Sequence, residues 1–258
     1  MPDSPHTDND EAAPVAILTG AGSGIGRAAA LRLASSGWGV ALAGRRAEAL
    51  RETQSLAADQ GIAGADETLL VAPTDVASAS SCAALVQATV ARFGRVDALI
   101  NNAGYAPAVP IDATTPEIVD AVFAVNALGP AYLILHSWPV FARQGAGRIV
   151  NISTMGVFDP FPGLFAYAGA KASLHTFTKS CAAEGAAIGV KAFAIAPSAV
   201  ETAMLRGIVT QEQLPTAETL APSAVARVIV ACAAGERDAR NGEVIELDVG
   251  NDQSINKR

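Results

Sequence analysis

Val15-Ala16-Ile17-Leu18-Thr19-Gly20-Ala21-Gly22-Ser23-Gly24-Ile25-Gly26 joins an apolar run to a turn that holds four glycines in seven positions. Val15 to Thr19 reads as a short buried strand, and the alanine-rich stretch from Gly24 to Ser36 as a helix. Glycines let a strand-to-helix turn fold tightly and bring its backbone against an anion. The helix start adds unpaired N–H groups and a partial positive charge. Such a turn can be packing alone, but four glycines opening a helix favour a bound phosphate. The strict G-x-G-x-x-G spacing is not met, because Ile25 stands where the third glycine belongs. The pattern present is T-G-x-x-x-G-x-G, ending at Gly26.

Outward from this stretch, apolar strands and helical segments alternate. Strands are expected at Val40 to Ala43, Leu69 to Ala72, Ala98 to Ile100, Arg148 to Ile152, Val190 to Ala196 and Val244 to Leu247. Between them fall helices at Ala47 to Gln60, Ser78 to Phe93, Ala166 to Ala187 and Pro222 to Ala234. A long helix lies within Pro116 to Phe141, with Pro130 and Pro139 as points of a break. The alternation means a parallel sheet covered on both faces, that is, one doubly wound α/β domain over residues 14–250. Residues 1–13, polar and acidic with two prolines, read as a disordered leader, and residues 251–258 as a tail.

Composition narrows the function. The chain has 258 residues, half of them apolar and 17% charged, with a net charge of −7. That charge argues against nucleic acid or an anionic membrane surface as a partner. No uninterrupted apolar run reaches the ~18–20 residues that span a bilayer. The N-terminus lacks the basic start and apolar core of a signal peptide. Cys82, Cys181 and Cys232 are odd in number and far apart, which fits neither a disulfide framework nor a metal site. A cytoplasmic protein without a metal is expected.

In a doubly wound sheet the loops after the strands carry the chemistry. After the second strand comes Gly44-Arg45-Arg46, where Asp or Glu would hold a ribose 2′-hydroxyl and arginine accommodates a 2′-phosphate. Arg45 therefore points to NADP, with NAD as the alternative; the bland reading is two solvated arginines at a helix start. After the third strand, Asp75 and Val76 either meet a ligand or, for Asp75, cap the helix near Ser78. Asn101-Asn102-Ala103-Gly104 follows the fourth, lining the adenosine side of a cleft or forming an ordinary turn. Tyr167 and Lys171 lie four residues apart on one expected helix face. An ammonium beside a phenol favours the phenolate and pulls its pKa down, making a general acid/base for an alcohol or ketone oxygen.

T-G-x-x-x-G-I-G at Thr19 to Gly26, N-N-A-G at Asn101 to Gly104 and Y-x-x-x-K at Tyr167 to Lys171 together resemble the short-chain dehydrogenase/reductase family. The likeness runs from about Val15 to Gly250. It implies a seven-stranded Rossmann fold, a nicotinamide dinucleotide, hydride transfer on a small-molecule carbonyl or secondary alcohol, and homotetramers or homodimers built on the long fourth and fifth helices. Residue by residue, it implies Tyr167 as acid/base and Lys171 as the lysine that tunes it and binds the nicotinamide ribose. Asn126 is implied as the asparagine whose helix backbone anchors a relay water. The dinucleotide would meet Gly20, Gly22, Ser23, Gly24, Ile25 and Gly26, then Arg45, Asp75 with Val76, and Asn102, Ala103 and Gly104. Pro197 to Thr202 resembles the P-G-x-x-x-T loop, with Pro197 opening it, backbone near Val200 at the carboxamide and Thr202 at the amide or diphosphate.

Departures from the family pattern are specific. Ser198 replaces a glycine beside the nicotinamide, Phe193 an asparagine of the sixth strand, Ala170 a serine before the lysine, and Ser23 a basic residue common in NADP enzymes. The oxygen-orienting hydroxyl falls on Ser153 or Thr154. Counting three back from Gly156 selects Ser153; the N-I-S-S ending and the distance to Tyr167 both select Thr154. Pocket walls are expected at Tyr105 to Val109, Met155 to Phe165 and Met204 to Leu214. They are apolar, which points to an apolar, cyclic or aryl substrate. A non-catalytic dinucleotide-binding sensor or assembly subunit is the alternative class.

Overall fold

The computed structural model describes residues 13–250. The expected leader, but for Ala13, and the whole expected tail lie outside the described residues. Seven parallel strands run in the order β3-β2-β1-β4-β5-β6-β7. They are β1 Val15–Thr19, β2 Gly39–Gly44, β3 Leu69–Pro73, β4 Ala98–Asn101, β5 Gly147–Ile152, β6 Val190–Pro197 and β7 Val244–Leu247. Successive strand residues feed opposite cores. Leu18, Ile100 and Val150 pack under α1 (Gly24–Ser35) and α6 (Pro222–Ala233). Ile17, Leu99 and Ile149 pack under the helices on the other face. Burial on both faces is why inner strands such as β1 and β4 are apolar without alternation.

Those other helices are α3 (Ala79–Phe93), α4 (Pro116–Gln144) and α5 (Phe165–Gly185), while α2 (Ala47–Asp59) lies beside β3. Ser78 caps α3, its hydroxyl accepting from Ser81 N at 3.3 Å, so the capping role open to Asp75 goes elsewhere. Asp75 instead accepts from Ala77 N at 3.1 Å, in a turn of its own. Neither Pro130 nor Pro139 breaks α4. A π-helical turn, Ala124–Leu128, precedes Pro130 and shifts the hydrogen-bond register there. Pro139 leaves only the carbonyl of Leu135 without its helical partner, and Leu135 is exposed to water. The continuous helix is long and apolar enough, by length and composition, to cross a membrane, which the interrupted sequence run did not announce. In the fold it packs between α3 and α5 against β4 and β5.

After β3 the chain crosses back to lay β4 beside β1, so the carboxyl ends of β1 and β4 flank the switch point.

Candidate active site

Two loops meet at that switch point, and Thr19 ties them. Its hydroxyl accepts from Asn102 N and Ala103 N, both at 3.0 Å. Asn102 Nδ2 in turn donates to Thr19 O at 2.8 Å. The glycines between are demanded by geometry. A Cβ on Gly26 would stand 2.1 Å from Gly20 O, and Gly20 itself holds φ +69°. Gly22 leaves room for Ala49, whose Cβ lies 2.9 Å from the position a side chain would take. The helix that follows begins at Ser23 with no side-chain cap and no acidic residue in its first turn. An uncapped N-terminus behind a glycine cradle fits a diphosphate.

The loop is also held from behind, by residues its own pattern did not single out. Arg27 Nη2 donates to Gly22 O at 2.6 Å and Thr53 Oγ1 to Ala21 O at 2.9 Å. Arg27 is forked onto Glu52 at 3.1 and 2.7 Å, and this guanidinium lowers the Glu52 pKa. A basic residue one place past the glycine pattern, followed 25 residues later by Glu, is too weak a signal to find this brace in one sequence. Arg45 is exposed at the end of β2, and no described residue forms an ion pair with it. Asp75 is exposed at the end of β3, and Val76 is buried beneath it.

Two of the expected catalytic groups, Asn126 and Lys171, converge on Gly104. A Cβ there would lie 3.3 Å from Asn126 Oδ1, 3.6 Å from Met204 Cε and 3.9 Å from Lys171 Nζ. Asn126 sits in the π turn, fully buried, donating to Tyr105 O at 2.7 Å and Val122 O at 2.8 Å and accepting from Tyr105 N at 3.2 Å. Its amide clamps the loop after β4 to α4. Tyr167 packs its ring with Val122, Ala127, Ala166 and Ala170. Lys171, on the same face, donates to Ile152 O at 2.7 Å, and its Nζ lies 5.9 Å from the Tyr167 ring centre.

The expected depression of the Tyr167 pKa is not what this arrangement produces. Burial pushes the phenol up to about 12 and pulls the Lys171 ammonium down to about 7. Lys171 is buried and Tyr167 half-buried, and a lysine near neutrality exerts little field on its neighbour. This carries a stability signature. Between pH 7 and 10.5 the unfolded chain holds the Lys171 proton and the folded chain does not. Unfolding free energy should therefore rise with pH across that window, by up to about 1.4 kcal/mol per pH unit. Urea unfolding of the parent and of Lys171→Met, from pH 7 to 9.5, should give a difference that grows with pH. A flat difference would mean that Lys171 titrates as an ordinary amine.

The two candidate hydroxyls face different ways, as neighbours at a strand end must. Ser153 is buried, with Oγ 2.8 Å from His175 Nε2 and 3.3 Å from Lys171 O. His175 lies four residues beyond Lys171 on α5, and burial lowers its pKa. Thr154 is partly exposed; its Oγ1 accepts from Gly156 N at 3.1 Å, which leaves its proton free to donate. The expected walls also meet here. Val109 N donates to Gly163 O at 2.9 Å, joining the first two, and Met204 reaches Gly104 from the third. Tyr105, Phe158, Phe161, Phe165 and Met204 are each more than 40% exposed around this opening.

Pro197 ends β6, Val200 is buried, and Thr202 caps a helical turn, accepting from Leu205 N at 3.2 Å. Thr202 Cγ2 is 3.0 Å from the Cβ position of Gly24, so this loop touches the glycine loop. Ser198 costs no backbone strain in place of glycine, since no described residue other than glycine has positive φ. Its Oγ is buried without a hydrogen-bond partner.

A profile described as short chain dehydrogenase matches residues 14–213. A 2-(R)-hydroxypropyl-CoM dehydrogenase from Xanthobacter autotrophicus is 35% identical over 245 residues, covering 91% of this chain and 96% of its own. An uncharacterized oxidoreductase from Staphylococcus epidermidis is 31% identical over 194 residues, 75% of this chain and 80% of its own. Among solved structures, levodione reductase superposes with a TM-score of 0.85 at 27% identity, covering 93% of this chain and 98% of that one. A 3-ketoacyl-(acyl-carrier-protein) reductase from Brucella melitensis, complexed with NADH, gives 0.84 at 27% identity over the same shares.

Proposed function

This chain belongs to the short-chain dehydrogenase/reductase family of oxidoreductases, and on that premise we propose that it interconverts a ketone and a secondary alcohol with a nicotinamide dinucleotide, preferring NADP. The convergence of Asn126 and Lys171 on Gly104, with Tyr167 on the same face of α5 as Lys171, carries this reading. Tyr167 gives the substrate oxygen its proton or takes it, and Thr154 rather than Ser153 orients that oxygen. Lys171 and the backbone at Asn126 connect the proton to water. The dinucleotide, when bound, supplies or accepts the hydride. The relatives named for ketoacyl reduction and hydroxypropyl dehydrogenation support the same reaction class.

Arg45 supports the preference for NADP, since an exposed guanidinium without an ion-pair partner among the described residues is suited to a 2′-phosphate. NADPH should bind about ten- to a hundredfold more tightly than NADH, and Arg45→Ala should erase much of that difference. Equal dissociation constants in the parent would show that Arg45 merely faces solvent. The exposed apolar rim supports an apolar, cyclic or aryl substrate. A panel of such ketones and alcohols with both dinucleotides, followed by nicotinamide absorbance, tests the reading; no turnover across it would reject the reading. Exposed Phe123, Leu128 and Leu135 on α4 support assembly as a dimer or tetramer through α4 and α5. Three buried free thiols suit a reducing cytoplasm.

A further inference from the structure

Between β6 and α6 the chain makes a long excursion that has no core of its own. None of residues 201–218 is buried. Its neck is closed by backbone, because Val200 bridges Leu220, Glu201 N donates to Leu220 O at 2.9 Å and Leu220 N to Ala199 O at 2.8 Å. Inside the neck, one side chain makes most of the bonds. Arg206 grips the Glu201 carboxylate with Nε at 2.7 Å and with Nη2 in a second, closer contact. It also donates to Leu214 O at 2.9 Å and Thr210 O at 3.2 Å. Glu201 accepts from Thr219 Oγ1 at 3.2 Å as well. Hydrogen bonding from Arg206 holds the Glu201 carboxyl down to about 2, so the pair stays ionised at any ordinary pH.

The outer side of the same loop rests on both dinucleotide loops, through Thr202 at Gly24 and Met204 at Gly104. A loop without buried apolar contacts takes its order from polar bonds. We propose that the Glu201–Arg206 ion pair latches residues 201–220 over the groove between Gly24 and Gly104. Dinucleotide affinity and the Met204 wall then depend on two positioning residues that touch neither ligand. The proposal rests on the dinucleotide reading of that groove.

Arg206→Met and Glu201→Gln test it, by limited proteolysis with a protease that cuts beside apolar residues, by thermal unfolding and by fluorescence titration with NADPH and NADH. Cleavage within 204–214 should quicken about tenfold in either variant, with the unfolding midpoint held. Dinucleotide dissociation constants should rise about tenfold, the size of one or two lost charge-assisted bonds. In turnover, KM should rise more than kcat falls. The double variant should be no worse than either single one, because each alone opens the same latch. Should Arg206→Met fail to fold, Glu201→Gln, which keeps the shape and removes only the charge, carries the test. Parental cleavage rates in the variants, or faster cleavage with unchanged dinucleotide affinity, would overturn the latch. Failure of the parent to bind either dinucleotide would instead reject the reading of the groove, and equal cleavage of parent and variants would then remove the latch too.

Discussion

Tyr167→Phe should lower turnover by about 10²–10⁴-fold and leave dinucleotide affinity nearly unchanged, the range spanned by positioned acid/base groups. The ring is held by Val122, Ala127, Ala166 and Ala170, and phenylalanine keeps that packing. No described residue hydrogen-bonds the hydroxyl, so its removal orphans no buried partner. What is lost is the phenolic proton, on the face of α5 that also carries Lys171. Single-turnover kinetics at saturating dinucleotide, beside a binding titration, separate the two effects. Turnover within a few-fold of the parent would take Tyr167 out of the proton step. A fall in affinity as large as the fall in turnover would assign the hydroxyl to cofactor binding instead.

The same residue marks where sequence reading stops. Helical spacing put Tyr167 and Lys171 on one face, and α5 bears that out. The sign of their pKa shifts follows from burial, which spacing does not report. Strands such as β1 and β4 were legible because burial on both faces writes itself as an apolar run. The π turn at Asn126 was not, since one extra residue per turn leaves the apolar pattern almost intact. Contacts between distant side chains were equally silent. Ser153 meets His175 from 22 positions away, and Arg27 meets Glu52 from 25. Each of these residues has an ordinary local reading, and only the packing of helix on sheet brings the partners together. Arg206 carries no local signal, because its partners, the Glu201 carboxylate and the carbonyls of Thr210 and Leu214, are brought to it by the fold of the loop rather than by a periodic spacing.

Thr154→Ala should cut turnover by about 10²-fold, the cost of removing one donor aimed at a reacting oxygen. Its hydroxyl accepts from Gly156 N, so the threonine rotamer is fixed while the proton remains free for a ligand. Thr154→Ser keeps both features and should retain most activity. Ser153→Ala should act differently. Its Oγ bridges His175 Nε2 and Lys171 O on the inner side of α5, and removal leaves a half-buried ring nitrogen without this partner, a loss of about 1 kcal/mol. A lower unfolding midpoint with milder loss of turnover is therefore expected. Two registers had favoured Thr154, the N-I-S-S ending and the thirteen residues to Tyr167, against one that counted back from Gly156. The inward bonds of Ser153 add a physical reason on the same side, because a hydroxyl whose one proton goes inward, to Lys171 O or to His175 Nε2, cannot also donate to substrate. A crippled Ser153→Ala beside a near-parental Thr154→Ala would reverse this. It would mean that the glycine register holds, that the segment before Tyr167 carries a one-residue insertion, and that the serine turns outward when substrate binds.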